Sequence, residues 1–210
     1  MTATGDLRFA CACGRVAGTV ANVSPMRGDH IVCHCTDCQS FALHLECADR
    51  VLDRHGGTAL YQSRCGDVCV MQGKEQLAAL HLTEQSTLRW YAACCNTPMF
   101  NTFANGRVPF TSILLANCDP AACATMGEAR GDLFLKDAIG DTSRLEPMPM
   151  ARLMRRVIVR MAKDMISGAR RHNALFDAKS FAPIAPAHRL GVEQRLRLNQ
   201  LVKQYHGGKR

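Results

Sequence analysis

A mainly β body followed by a basic α-helical extension is the fold class predicted by this 210-residue sequence, on three observations. Short apolar segments with period-two alternation recur through the first half of the chain, punctuated by turn residues. Cysteines cluster in the same stretch, in CxC and CxCxxC spacings. After Pro147 the apolar spacing lengthens to three or four residues, and the charge turns strongly positive.

Taken in order, LRFACACG and RVAGTVANV predict a hairpin whose turn contains Gly14, and DHIVCHC a strand running into a cysteine loop. A helix should follow. Thr36 and Gln39 fit a capping box, and Phe41, Ala42, Leu45, Ala48 and Leu52 share one stripe until His55-Gly56-Gly57 stops it. That helix would place Cys38 in its first turn, where free N–H groups and the dipole favour a thiolate. TALYQS, DVCVMQ, LAALHL, TLRWYA, PMFNTF and FTSILLAN predict further closely spaced strands. Beyond Pro147, Met150, Met154, Ile158, Met161 and Met165 form a helical stripe, with Arg152, Arg155, Arg156 and Lys163 mostly off it. FAPIAPAHRLG breaks the chain before a final basic helix from about Val192 to Tyr205. The expected organisation is a cysteine-rich β domain over 1–125, a linker over 126–146 and a basic helical extension over 147–210.

Composition narrows the function classes. With 47% apolar and 21% charged residues, the chain can bury a core and is not a disordered protein. Its first residues, MTATGDLRFACACG, lack the pattern of a secretory signal, and no apolar run reaches the length of a membrane helix, so a soluble cytoplasmic protein is expected. In a reducing compartment, twelve cysteines point to metal or thiol chemistry rather than to disulfides. The charge is also divided. Residues 144–210 hold 15 Lys and Arg against 4 Asp and Glu, a net of +11, while the rest of the chain carries −3 of the total +8.

Zinc held by four protein ligands is structural, whereas three ligands and an open position make a catalytic type of site. Cys33, Cys35 and Cys38 supply three thiolates from one loop. Cys11 and Cys13, with Cys94 and Cys95 ahead of Asn-Thr-Pro, would make a closed four-thiolate site whose metal contributes to folding. The cofactor expected is therefore Zn2+, in two places. Strand alternation turns His34 away from Cys33 and Cys35, leaving it to orient a thiolate rather than to bind the metal. Cys65 and Cys69, four apart around a Gly-Asp turn, could make an extra site but read first as half-buried strand cysteines, Cys47, Cys118 and Cys123 as packing residues, Trp90 and Tyr91 as core, and His44 and His55 as exposed.

CACG at 11–14, CHCTDC at 33–38, TALYQS, and CNTPMF at 95–100 together resemble the glutathione-dependent formaldehyde-activating enzymes, a family that includes centromere protein V. The resemblance spans residues 8–116. It implies a β-tent fold, a catalytic zinc on Cys33, Cys35 and Cys38, and a structural zinc on Cys11, Cys13 and Cys95. Two positions depart from the family pattern. Ala92 stands where the later pair has its first cysteine and Asn96 where it has glycine, so Cys94 would substitute as the fourth ligand. The implied activity is that of a carbon–sulfur lyase acting on a glutathione-formaldehyde adduct or related thiol conjugate. Three thiolates around a divalent ion agree with it, since such a centre suits a soft thiol. Arg15, Arg50 and Arg54 are candidates for the substrate's carboxylates. The competing expectation is a non-catalytic zinc module whose basic tail binds nucleic acid, an anionic membrane surface or a protein partner, or whose apolar stripe simply packs on the β domain.

Overall fold

The computed structural model describes residues 5–84 and 87–208. All nine segments expected as strands are strands: β1 (Gly5–Ala10), β2 (Ala17–Val23), β3 (Asp29–Cys33), β4 (Thr58–Arg64), β5 (Val68–Gln72), β6 (Leu77–His81), β7 (Thr87–Ala92), β8 (Thr97–Phe103) and β9 (Phe110–Leu114). Two short ones follow, β10 (Asp132–Leu133) and β11 (Ala187–Arg189). The helices are α1 (Thr36–His44), α2 (Ala48–Val51), α3 (Pro120–Cys123), α4 (Met150–Ser167) and α5 (Val192–Gly208). The protein is mainly β with a helical C-terminal part, as the alternation and the later change of period imply.

The strands make two sheets. One has the order β1-β2-β5 and contains the expected hairpin. The other has eight strands, β10-β3-β4-β9-β8-β7-β6-β11. Its inner pairs are antiparallel and its outer pairs, β10 with β3 and β11 with β6, are parallel. Period-two alternation gives the large sheet two apolar faces. Tyr61, Trp90, Phe100 and Ile113 pack on Leu7, Phe9 and Val20 of the small sheet. Ile31, Leu60, Leu80 and Leu114 face the opposite way, onto Phe41 of α1, Leu153 and Val157 of α4, and Leu198 of α5. The extension is thus woven into the body, because β11 pairs with β6 and α5 lies on α1.

Two expectations about helices need correction. The stripe from Phe41 to Leu52 does not form one helix: Glu46 takes a left-handed φ of 55° and splits it into α1 and α2. Nor does a capping box open α1. Cys35 occupies the cap without a side-chain bond, and the Gln39 amide instead donates to the carbonyls of His34 (2.8 Å) and Asp137 (3.0 Å). That clamp holds the cysteine loop from behind.

In α4 the expected methionine stripe faces outward except at Met161. Leu153, Val157 and Met161 form the buried side, while Met150, Met154, Ile158 and Met165 are exposed. Charge pairing fixes the rotation. Asp29, fully buried, receives the guanidinium groups of Arg130, Arg156 and Arg160, and buried Asp164 receives Arg64 at 2.7 Å. A carboxylate taken out of water must be paired, so these contacts turn one side of α4 inward and leave the second apolar stripe outside.

Candidate metal centres

The cysteines converge in two places, one on either side of the large sheet. Cys11, Cys13, Cys94 and Cys95 form one group, with their sulfurs all within 4.8 Å of one another; Cys33, Cys35 and Cys38 form the other. All twelve cysteines are free thiols. Both groups could hold metal ions, as soft sulfur donors do for zinc.

The four-cysteine group joins the β1–β2 turn to the β7–β8 turn. In the first turn Gly14 adopts φ 77°, and the Val16 N–H donates to the Cys11 sulfur at 3.2 Å. In the second, Asn96 adopts φ 51°, a left-handed conformation that asparagine tolerates better than most residues. This lets adjacent cysteines face one point, with Cys94 Sγ 3.8 Å from Cys95, 3.4 Å from Cys13 and 3.9 Å from Cys11. Four sulfurs at about 2.3 Å from a tetrahedral zinc would stand about 3.8 Å apart, so the spacing fits. Ala92 lies buried in β7. Thr97 links the two turns: its hydroxyl accepts from the Ala12 N–H at 3.1 Å and lies 3.1 Å from the Cys95 sulfur. At Cys95, desolvation raises the thiol, but Thr97 and the Cys13 backbone favour the thiolate and bring it down to about 6. Cys94 is pushed up to about 12 by desolvation and by the neighbouring thiols.

The three-cysteine group is assembled by the end of β3 and the start of α1. Cys33 closes the strand, Cys35 caps the helix and Cys38 sits in its first turn, with its N–H bonded to the Cys35 carbonyl at 3.0 Å. Cys33 and Cys38 are buried, and Cys35 is half-exposed. Hydrogen bonds from Cys33 and Cys35 hold Cys38 well below the ordinary thiol range despite its burial, helped by the positive charge of Arg89. Hydrogen bonds with Cys35 and Cys38, and then burial, push Cys33 well above that range. At Cys35 the bond with Cys33 lowers the thiol, while Cys38 and burial outweigh it and leave it at about 12.

Arg89 is the site residue that sequence reasoning missed. It is buried in β7, and its Nη1 donates to Cys38 Sγ at 3.4 Å and to Asn101 Oδ1 at 2.9 Å. Its Nη2 stands 3.9 Å from Asp37. Asn101 in turn donates to Ser112 at 3.1 Å, so a polar row crosses β7, β8 and β9 in register. The available signal was a charged residue in the middle of an otherwise apolar strand. The arginines expected near the substrate, Arg15, Arg50 and Arg54, are exposed, and Arg54 bonds His55 instead of approaching a thiol.

His34 is fully buried outside the sulfur cluster, with Nε2 2.8 Å from Asp132 and Nδ1 3.2 Å from the His55 carbonyl. Both ring nitrogens are engaged, which ties the loop to β10. His44 and His55 prove half-buried rather than exposed, and His55 Nδ1 meets the Ile139 carbonyl at 2.9 Å. Among the described residues, Cys65 and Cys69 build no third cluster; Cys65 is buried and Cys69 exposed. Cys47 and Cys118 are buried in the cores, Cys123 is half-buried, and burial raises all three thiols. Trp90 is a core residue, bonded to Thr102 at 2.9 Å, and Tyr91 is half-buried.

No curated protein matches the chain. The crystal structure of a Rhodobacter sphaeroides protein is similar at a TM-score of 0.40 and 17% identity, over 58% of this chain and 96% of that one. A family model covers far more, matching residues 5–186. By that match the chain belongs to the family of unknown function DUF6151.

Proposed function

We propose that the protein is a zinc-dependent, carbon–sulfur lyase-like enzyme acting on a glutathione-aldehyde adduct of the S-hydroxymethyl type or a related thiol conjugate. The reacting centre in this reading is Cys33, Cys35 and Cys38, and the body is a variant of the β-tent of the formaldehyde-activating enzymes. One observation carries it: beside a buried guanidinium three thiols converge with no fourth ligand among the described residues, while the other group has all four. Zinc held by these three thiolates would supply a position better suited to a soft thiol than to making hydroxide.

The chain's own residues would do the rest. Cys33, Cys35 and Cys38 hold the centre, and Arg89 offsets their negative charge within the protein. The half-exposed side of the loop, at Cys35, is where substrate would approach. In the breakdown direction the adduct's C–S bond breaks with its electron pair left on sulfur. The hydroxyl gives up its proton as the aldehyde C=O forms, and the thiolate or solvent takes the proton. No oxidant or reductant is consumed.

The test is zinc content and catalysis in the wild type and in Cys38→Ser. The reading expects about two zinc ions per chain falling to about one, with glutathione-formaldehyde turnover lost and the fold kept. Zinc-loaded wild type that neither binds glutathione nor changes the rate of adduct formation or breakdown would sink it.

A further inference from the structure

Helix α4 presents a surface for which the thiolate chemistry has no use. At 100° per residue, Met154, Ile158, Met165, Val159 and Ile166 fall in one outward sector. All five are exposed, Ile166 by 88% and Ile158 by 59%. The neighbouring sector holds Arg152, Arg156, Arg160 and Lys163, and Arg155 stands within the apolar one. The only acid in the helix, Asp164, is buried and paired with Arg64. Asp29 neutralises one charge among three arginines and is itself buried.

The two sectors meet over a groove. Arg155, Arg156, Val159, Arg160 and Lys163 line it together with Met26, which the loop after β2 holds 74% exposed. Four cations, two apolar side chains and no carboxylate form its walls. An anionic headgroup fits this lining, and the adjoining Ile and Met side chains fit the acyl boundary beneath one. That pairing of a basic flank with an apolar flank is the signature of a helix lying in a membrane interface. No described helix is long and apolar enough to cross a membrane, so the contact would be peripheral.

We infer that the outer face of α4, with Met26, docks the protein on a bilayer surface carrying anionic phospholipid. Charge complementarity selects an anionic partner, and the exposed branched aliphatics select lipid over nucleic acid. Phosphate neutralisation on a duplex uses the cations alone and leaves Ile158 and Ile166 without a role.

Sedimentation with vesicles tests this on the zinc-loaded full chain. Binding is expected to vesicles containing about 30% phosphatidylserine and not to pure phosphatidylcholine, weakening as salt rises. The double variant Ile158→Gln/Ile166→Gln keeps the charge and touches only exposed positions; it should lose binding at least about tenfold. Arg155→Gln/Lys163→Gln should weaken binding as well. Failure to bind the anionic vesicles would overturn the inference. So would binding that the isoleucine variant leaves unchanged, or duplex DNA binding without vesicle binding, since either would make the face a general polyanion site.

Discussion

The two cysteine groups lie on opposite sides of one sheet and handle charge in opposite ways. Four thiolates around a divalent ion carry a net charge of about −2, and three carry about −1. With metal bound, the more heavily charged group would be the one where Cys13 is exposed and water can screen it. The lesser charge is enclosed, and there the fold supplies Arg89. Enclosure, rather than the amount of charge, decides where a counter-charge is built in, because an unpaired buried charge costs several kcal/mol. The closed group also joins two sheets, whereas the open one joins a strand to the helix that follows it.

That contrast predicts unequal effects on stability. Cys94→Ser removes a thiol that bridges the two turns, and should lower folding stability by on the order of 5 kcal/mol when metal is present. Cys38→Ser, whose hydroxyl still accepts from Arg89 and which bridges no two sheets, should lower stability by less. Thermal melts with and without a zinc chelator check both, and equal losses in the two variants would erase the distinction.

Arg89→Met probes the enclosed charge directly. It strips Cys38 and Asn101 of their shared donor, at a cost of about 3 to 5 kcal/mol. Metal should be lost from the three-cysteine group and kept by the other, so zinc content should fall by about one ion per chain. Arg89→Lys retains the charge without the two-point geometry and should fall between. Unchanged zinc in Arg89→Met would mean the thiolates need no internal counter-charge.

Thr97→Val tests the other group at smaller scale. It leaves the Ala12 N–H without its acceptor and Cys95 without its hydroxyl, costing about 1 to 2 kcal/mol. With Thr97 gone, the free Cys95 thiol should titrate above about 6, which alkylation rates of metal-free protein against pH would report as slower reaction near neutrality. An unshifted profile would give the lowering to the Cys13 backbone.

What was legible in the sequence follows from how local each signal is. Alternation marked β1 to β9, and the cysteine spacings marked every thiol in both groups. β10 and β11 were not legible, because segments of two and three residues become strands only when a sheet edge recruits them. Arg89 shows locally only as a charge within a strand, and its role was not legible because its partners lie 12 and 51 residues away. In α4, periodicity marked one stripe through Met150, Met154, Ile158, Met161 and Met165, of which only Met161 is buried. Only the distant Asp29 and Arg64 determine that Leu153, Val157 and Met161 turn inward and Met154 and Ile158 outward.

The finest test of the contrast uses a residue beyond the part of the chain that defines the family. His206, near the end of α5, places Nε2 2.5 Å from Gln39 Oε1, and the Gln39 amide nitrogen holds the carbonyls of His34 and Asp137. α5 therefore bears on the open group through this glutamine and through Leu198 in the same core, while the closed group packs with the core on the sheet's other face. His206→Ala should cost about 1 kcal/mol, the worth of one hydrogen bond. Its diagnostic effect is selective, since loosening the Gln39 clamp should speed zinc loss from Cys33, Cys35 and Cys38 to a chelator and leave the other site's release rate unchanged. Gln39→Ala should do the same more strongly, as it frees both carbonyls. Equal acceleration at the two sites would show that α5 steadies the whole fold instead of the open centre.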